Sequence, residues 1–220
     1  MISPPVAGSE RPLALPMRGV MAGLALVMVV DLLTVLGWWP GGLLGWAVHT
    51  SILVVLPWLT LLLASRPAAV FGYQRGSLLL DLGWGVVIGS GWRLFSLLFN
   101  LAWIRVNGVA RLTGWVSAIF WVPFVEETFF RGYLGRSLQA KWGLWAGNLA
   151  QALLFTLQPY HWRQGWPGIL SIFGFGILAG WLMDRRGTIW PAWAAHAAAN
   201  LLALLLSAGW QAWGFSGTAD

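Results

Sequence analysis

Residues 177–206 read ILAGWLMDRRGTIWPAWAAHAAANLLALLL. Two apolar runs are separated by a short break, Asp184 to Thr188, that carries an acid, two arginines and a glycine. Basic residues in a last helical turn followed by glycine are a helix stop. Apolar runs on both sides of such a break read as two antiparallel membrane helices joined by a tight polar turn. The second run holds His196 and Asn200 four residues apart, so both project from one helix face. Alanines at 194, 195, 197, 198 and 199 surround them. Small neighbours allow another helix or a substrate backbone to come close.

The rest of the chain has the same character. It has 220 residues, of which 58% are hydrophobic and only 9% charged, and its mean hydropathy is +0.71. Soluble domains carry about 25% charged residues. The fold class is therefore all-α, a polytopic membrane helix bundle. Seven spans of bilayer length follow, at about 18–39, 43–64, 77–101, 113–139, 142–158, 167–183 and 188–209. The breaks between them are mostly rich in Gly, Pro or charge. No repeat or second domain is visible, so residues 1–220 read as one integral membrane domain. Eighteen tryptophans fit interfacial anchoring. With no cysteine, disulfides, thiolate metal sites and cysteine nucleophiles are excluded.

The net charge of +6 comes from arginines without a basic run, which excludes nucleic acid as the expected partner. Those arginines orient the chain. With the N-terminus cytoplasmic, Arg11, Arg18, Arg66, Arg75, Arg136, Lys141, Arg185 and Arg186 lie inside, and Arg105, Arg111 and Arg163 outside. That excess matches the positive-inside rule. Residues 1–17, polar and Pro-rich, read as a short cytoplasmic tail, and the bacterial inner (plasma) membrane is the expected location. The stretch from Arg93 to Arg111 could instead form a surface helix.

Ionisable groups inside spans cost ~2.5–3.5 kcal/mol each and are functional candidates by default. Asp31, His49, Asp81 and Arg93 are isolated in sequence and read as structural pairs between helices or residues reaching an interface. A different pattern occurs at Trp121–Gly135, WVPFVEETFFRGYLG. Glu127 and Arg131 are an i,i+4 pair with the acid N-terminal, the favourable order. Arg131 can hold Glu127 ionised, while Glu126 points about 100° away. A carboxylate in a dry site has a raised pKa, which suits a general base near neutral pH. The other reading of the triplet is an ion-pair clip between helices. Depths also agree. Glu126 lies ~22 Å along its helix from the turn near Lys141, and Asn200 ~19 Å from Gly187, so both reach similar levels. His161, in FTLQPYH, falls about one turn above Glu126.

These residues resemble the CPBP family of glutamate intramembrane proteases, which includes CAAX prenyl endopeptidases and bacterial Abi-type proteins. The family patterns are EExxxR, FxxxH and HxxxN (or HxxxD). Glu126, Glu127 and Arg131 match the first; His196 and Asn200 match the third. The likeness covers about residues 113–210. The second pattern is altered: four residues after Phe155 stands Pro159, and four before His161 stands Leu157. A helix distorted by the proline would reconcile the two; otherwise Gln158 or His161 takes a modified role.

The resemblance implies a multipass endopeptidase cutting a membrane-associated protein or peptide in or near the lipid bilayer. Glu126 would draw a proton from water, helped by His161. His196 and Asn200 would stabilise the oxyanion, and Glu127 with Arg131 would hold the site in shape. No cofactor or metal is expected, because two spaced histidines without HExxH make a weak zinc site. The substrate, a prenylated CAAX tail or a C-terminal sorting anchor, is left open, as is the oligomeric state. The alternative is a non-catalytic membrane scaffold or immunity protein. A serine intramembrane protease fails, because VVIGSGW around Ser90 has Ile88 where a GxSG pattern needs glycine. A transporter would need broken-helix repeats, which are not visible. Finally, Gly176 and Gly180 stand at GxxxG spacing, and close contact with a neighbouring helix is expected there.

Overall fold

The computed structural model describes residues 15–39, 42–74, 76–98 and 112–212. Most of the proposed N-terminal tail, and residues 99–111 of the Arg93–Arg111 stretch, lie outside them. The described part is all-helical. Seven helices follow in order: α1 (Met17–Val35), α2 (Gly42–Leu63), α3 (Leu78–Leu98), α4 (residues 112–142), α5 (Leu144–Thr156), α6 (Gly165–Arg186) and α7 (Trp190–Ala212). Short 3-10 turns at Ala68–Phe71 and Pro159–Gln164 join α2 to α3 and α5 to α6. The helical bundle expected from composition is the fold observed, with shifted ends.

Four segments, Met17–Val35, Leu44–Leu63, Leu78–Leu98 and Pro159–Arg186, are long and apolar enough to cross a membrane. Their outward side chains include Leu62, Leu63, Leu79 and Leu98, all largely exposed. In water that surface would be unfavourable; against lipid tails it is the expected face. By contrast, α5 has 13 residues, ~20 Å of helix, short of the ~30 Å bilayer core. The span expected at 142–158 is thus a shorter helix completed by a 3-10 turn.

Close backbone packing sets the inner arrangement. A Cβ on Gly89 would sit 2.0 Å from the Ala195 carbonyl oxygen, and one on Gly85 2.4 Å from that of Pro191, so α3 rests directly on α7. The GxxxG pair does the same between α6 and α5. A Cβ on Gly176 would lie 3.0 Å from Ala152 Cβ, and one on Gly180 1.9 Å from Asn148 Oδ1. Asn148 and Gln151 use that closeness to donate to the carbonyls of Ile177 and Gly176 at 3.0 and 2.9 Å. Gly187, at φ +70°, ends α6 in the left-handed conformation that glycine favours.

Three of the isolated ionisable residues make contacts between chain segments. Asp81, buried at the start of α3, accepts from Arg186 Nε at 2.6 Å and from Thr188 at 3.3 Å. Asp31 on α1 meets His49 on α2 at 2.6 Å. The main apolar core joins Val20, Leu24, Leu53, Phe71, Phe129, Phe130, Tyr133 and Phe155. It surrounds the middle of α4, where both glutamates sit.

Candidate active site

Helix α4 is not regular. It passes into π-helix at Ser117–Trp121 and again at Glu127–Gly135. The first irregularity has a local cause. The Val122 N–H donates to the Ser117 carbonyl, five residues back. The next residue, Pro123, has no N–H to give. The carbonyl of Ala118 is thereby left without a helical donor. Asn200 fills the gap: its Nδ2 donates to the Ala118 oxygen at 2.8 Å. The second π segment carries Glu127 and Arg131, both fully buried. Single π turns inside α-helices are frequent at functional sites.

Glu127 is held from two sides. Its Oε2 lies 3.1 Å from Arg131 Nε, the i,i+4 pair expected. The guanidinium N–H groups are not aligned for hydrogen bonding, so the attraction is Coulombic. Aromatic faces complete the cage, with Arg131 Cζ 4.3 Å from the centroid of Phe155 and 5.8 Å from that of Phe175. The other oxygen, Oε1, is 2.8 Å from His196 Nδ1. An ionised carboxylate only accepts, so Nδ1 carries the hydrogen. The opposite nitrogen, His196 Nε2, faces Glu126 Oε2 at 4.0 Å. One imidazole therefore stands between two adjacent carboxylates. The Glu126 side chain is 20% exposed, against 1% for Glu127. The two acids have different surroundings, one partly exposed and one sealed.

His161 arrives by a broken route. Helix α5 stops at Thr156, and the 3-10 turn from Pro159 folds the chain back. The His161 ring then meets Phe155 edge-on at 4.9 Å, and its Nδ1 is 2.9 Å from the Phe155 carbonyl oxygen. The phenylalanine–histidine contact is thus made at a spacing of six rather than four. Glu126 and His196 both lie within electrostatic range of His161. Of the six candidate residues, Glu126, Glu127, Arg131 and His196 form one connected cluster. His161 borders it through Phe155, and Asn200 is turned towards Ala118.

Sequence reading did not detect the Asp31–His49 contact, nor the role of Tyr73. Tyr73 lies in the α2–α3 connection, and its hydroxyl is 2.5 Å from Thr128 Oγ1, next to Glu127. Burial pushes its pKa up to about 12. Pro123, five residues after Ala118, was the available signal for the unpaired carbonyl that Asn200 occupies. Alongside the cluster runs an apolar groove of about 400 Å³ between α3, α4 and α7, lined by Ile119, Phe120, Trp193, Ala197 and Leu201 among others. Among the described residues, no group of three or more His, Asp or Glu is arranged to hold a metal ion.

No curated protein matches the chain, and no solved structure does. Among protein families, "Type II CAAX prenyl endopeptidase Rce1-like" matches residues 108–202. That segment runs through α4 to the middle of α7 and contains all six candidate residues. Over this segment, which carries the Glu–Glu–Arg–His cluster, the chain is similar to the Rce1-like type II CAAX prenyl endopeptidases.

Proposed function

We propose that the protein is a glutamate-type intramembrane endopeptidase, with Glu126 as the base that activates water. The observation that carries this reading is the unequal pair of carboxylates around His196. Glu127 is locked at 2.8 Å from Nδ1, while the more exposed Glu126 faces Nε2 at 4.0 Å. A base must meet water, and the partial exposure of Glu126, against the sealed Glu127, supports that role for it.

Glu126 takes a proton from water as the hydroxide oxygen bonds to the scissile carbonyl carbon. The resulting oxyanion forms beside His196 Nε2, on a ring that Glu127 holds in place. Asn200 adds a donor. Its amide carries two hydrogens, one on the Ala118 carbonyl and one left over. Loss of one such donor costs ~2.7–4 kcal/mol of transition-state stabilisation in serine proteases. When the C–N bond breaks, Glu126 returns the proton to the leaving nitrogen. Arg131 keeps Glu127 ionised, and Glu127 keeps His196 aligned. His161, beside Glu126, orients the attacking water.

A membrane-bound substrate would lay its apolar portion in the groove between α3, α4 and α7. A prenylated CAAX tail is the substrate class that the family description favours. The N-terminus is cytoplasmic, as the arginine distribution favours. The test uses purified protein in lipid nanodiscs and a fluorogenic prenylated CAAX peptide. Cleavage by the parent and none by Glu126→Gln supports the reading. Equal cleavage by both, or none by the parent on prenylated or anchored peptides, refutes it.

A further inference from the structure

Asp31 and His49 are a second acid–imidazole couple inside the bundle, on helices outside the matched segment. The mechanism above does not use them. Asp31 contrasts with Asp81. Both oxygens of Asp81 accept hydrogen bonds, as expected of a tie between helices. In Asp31 only Oδ1 is engaged, 2.6 Å from His49 Nδ1. Its Oδ2 is buried and has no hydrogen-bond partner among the described residues. A buried unpaired acceptor carries a desolvation penalty that a purely structural clip would avoid. The couple also faces the site. Helix α1 packs on the 3-10 turn that carries His161, and α2 packs on the α4 segments holding Glu126 and Glu127. Glu126 lies in electrostatic range of His49, and Asp31 in range of His161. The His49 side chain is 22% exposed, close to the 20% of Glu126. His49 and Glu126 are thus partly exposed, whereas Asp31 and Glu127 are sealed.

We propose that His49, oriented by Asp31, is a proton-handling residue of the same site, exchanging protons with Glu126 through water. This rests on the endopeptidase reading. Asp31 accepts from Nδ1–H and leaves Nε2 as the nitrogen that gains and loses a proton. In the reaction, Glu126 takes a proton from water as the hydroxide adds to the carbonyl carbon. His49 Nε2 receives that proton from Glu126. It hands it back through water to Glu126, which returns it to the amide nitrogen as the C–N bond breaks. Imidazole and carboxylate both return to their starting states. Among the described residues, the charged and titratable groups in range of His49 are Asp31 from α1 and Glu126 from α4.

The chain has three histidines, so the ring nitrogens of ¹⁵N-histidine-labelled full-length protein in nanodiscs give separable NMR signals. His49 is assigned by its loss in His49→Gln. Two results are expected. In Glu126→Gln the protonated fraction of His49 at fixed pH falls, because an opposite charge has been removed. In His49→Gln and Asp31→Asn, kcat falls about 10²-fold, KM stays within twofold, and the pH profile changes shape. A structural tie alone would lower the melting temperature and leave the pH profile of the remaining activity as in the parent. An unchanged His49 titration in Glu126→Gln, or parental kcat in both variants, overturns the inference while leaving a Glu126-dependent endopeptidase intact. A parent that cleaves no peptide overturns both readings together.

Discussion

His196 Nδ1 and Glu127 Oε1 meet at 2.8 Å, although the residues are 69 positions apart. This contact joins α4 to α7 and gives Glu127 two cationic or donor partners, with Arg131 on its other oxygen. Glu126, one residue earlier, keeps only the longer 4.0 Å approach to His196 Nε2. Adjacent identical side chains therefore have separable consequences when changed.

Glu127→Gln removes the charge that Arg131 faces inside the bundle. Breaking a buried pair by deleting one partner costs about 3–5 kcal/mol. The variant is expected to melt well below the parent and to lose activity with its fold. Glu126→Gln keeps the shape, and burying an amide is easier than burying a carboxylate. It is expected to melt at or above the parent temperature and to be inactive. Differential scanning fluorimetry and peptide cleavage on both variants check this; the opposite ranking would exchange the two roles.

Asn200→Ala leaves the Ala118 carbonyl without a donor. An unsatisfied acceptor costs about 1–3 kcal/mol when fully buried, and Ala118 is half-buried, so the loss falls at the low end of that range. Pro123→Ala restores a backbone N–H beside it and should recover part of that loss, so the double mutant is expected to be non-additive. Activity should stay low in the double mutant, because a backbone N–H within α4 does not replace the second amide hydrogen. Melting temperatures of the four members of the cycle, with cleavage rates, are the measurement.

Phe155→Ala takes away the ring that touches both Arg131 and His161. Truncating a buried phenylalanine costs about 3–5 kcal/mol. Phe155→Leu retains most of the volume and is expected to restore stability better than activity, since His161 loses its edge-on support. Cleavage kinetics compared at equal folded fraction distinguish the two effects.

Gly180→Ala is expected to destabilise more than Gly176→Ala. The added methyl would meet Asn148 Oδ1 at 1.9 Å in the first case and Ala152 Cβ at 3.0 Å in the second. The first also displaces the amide network that ties α5 to α6. Thermal melts in detergent give the ranking, and equal stabilities would contradict the close approach of the two helices.

Tyr73 lies between α2 and α3, and burial raises its pKa to about 12. The folded state holds this proton more tightly than the unfolded chain, where tyrosine titrates near 10. Its contribution to stability is therefore complete below pH ~10 and is lost as pH rises from about 10 to about 12. Tyr73→Phe should remove that alkaline dependence. Ultraviolet difference titration of parent and variant measures it directly.

The bundle was legible in the sequence because lipid imposes a simple rule: runs of apolar residues of bilayer length become helices, and Gly, Pro or charge ends them. The α6–α7 hairpin across Asp184–Thr188 follows from that rule, as does the pairing of Glu127 with Arg131 from helical spacing. Local distortion was not legible. A π segment depends on how buried Phe129, Phe130 and Tyr133 pack against α2 and α5, and spacing rules assume a regular helix. The same limit hid the Phe155–His161 contact, which arises when α5 ends and a 3-10 turn folds the ring back. Contacts between distant helices were decided by tertiary structure alone. No periodicity relates Asp31 to His49, Asn200 to Ala118, or His196 to Glu127. Their partners are chosen by which helix faces meet, and only the folded bundle decides that.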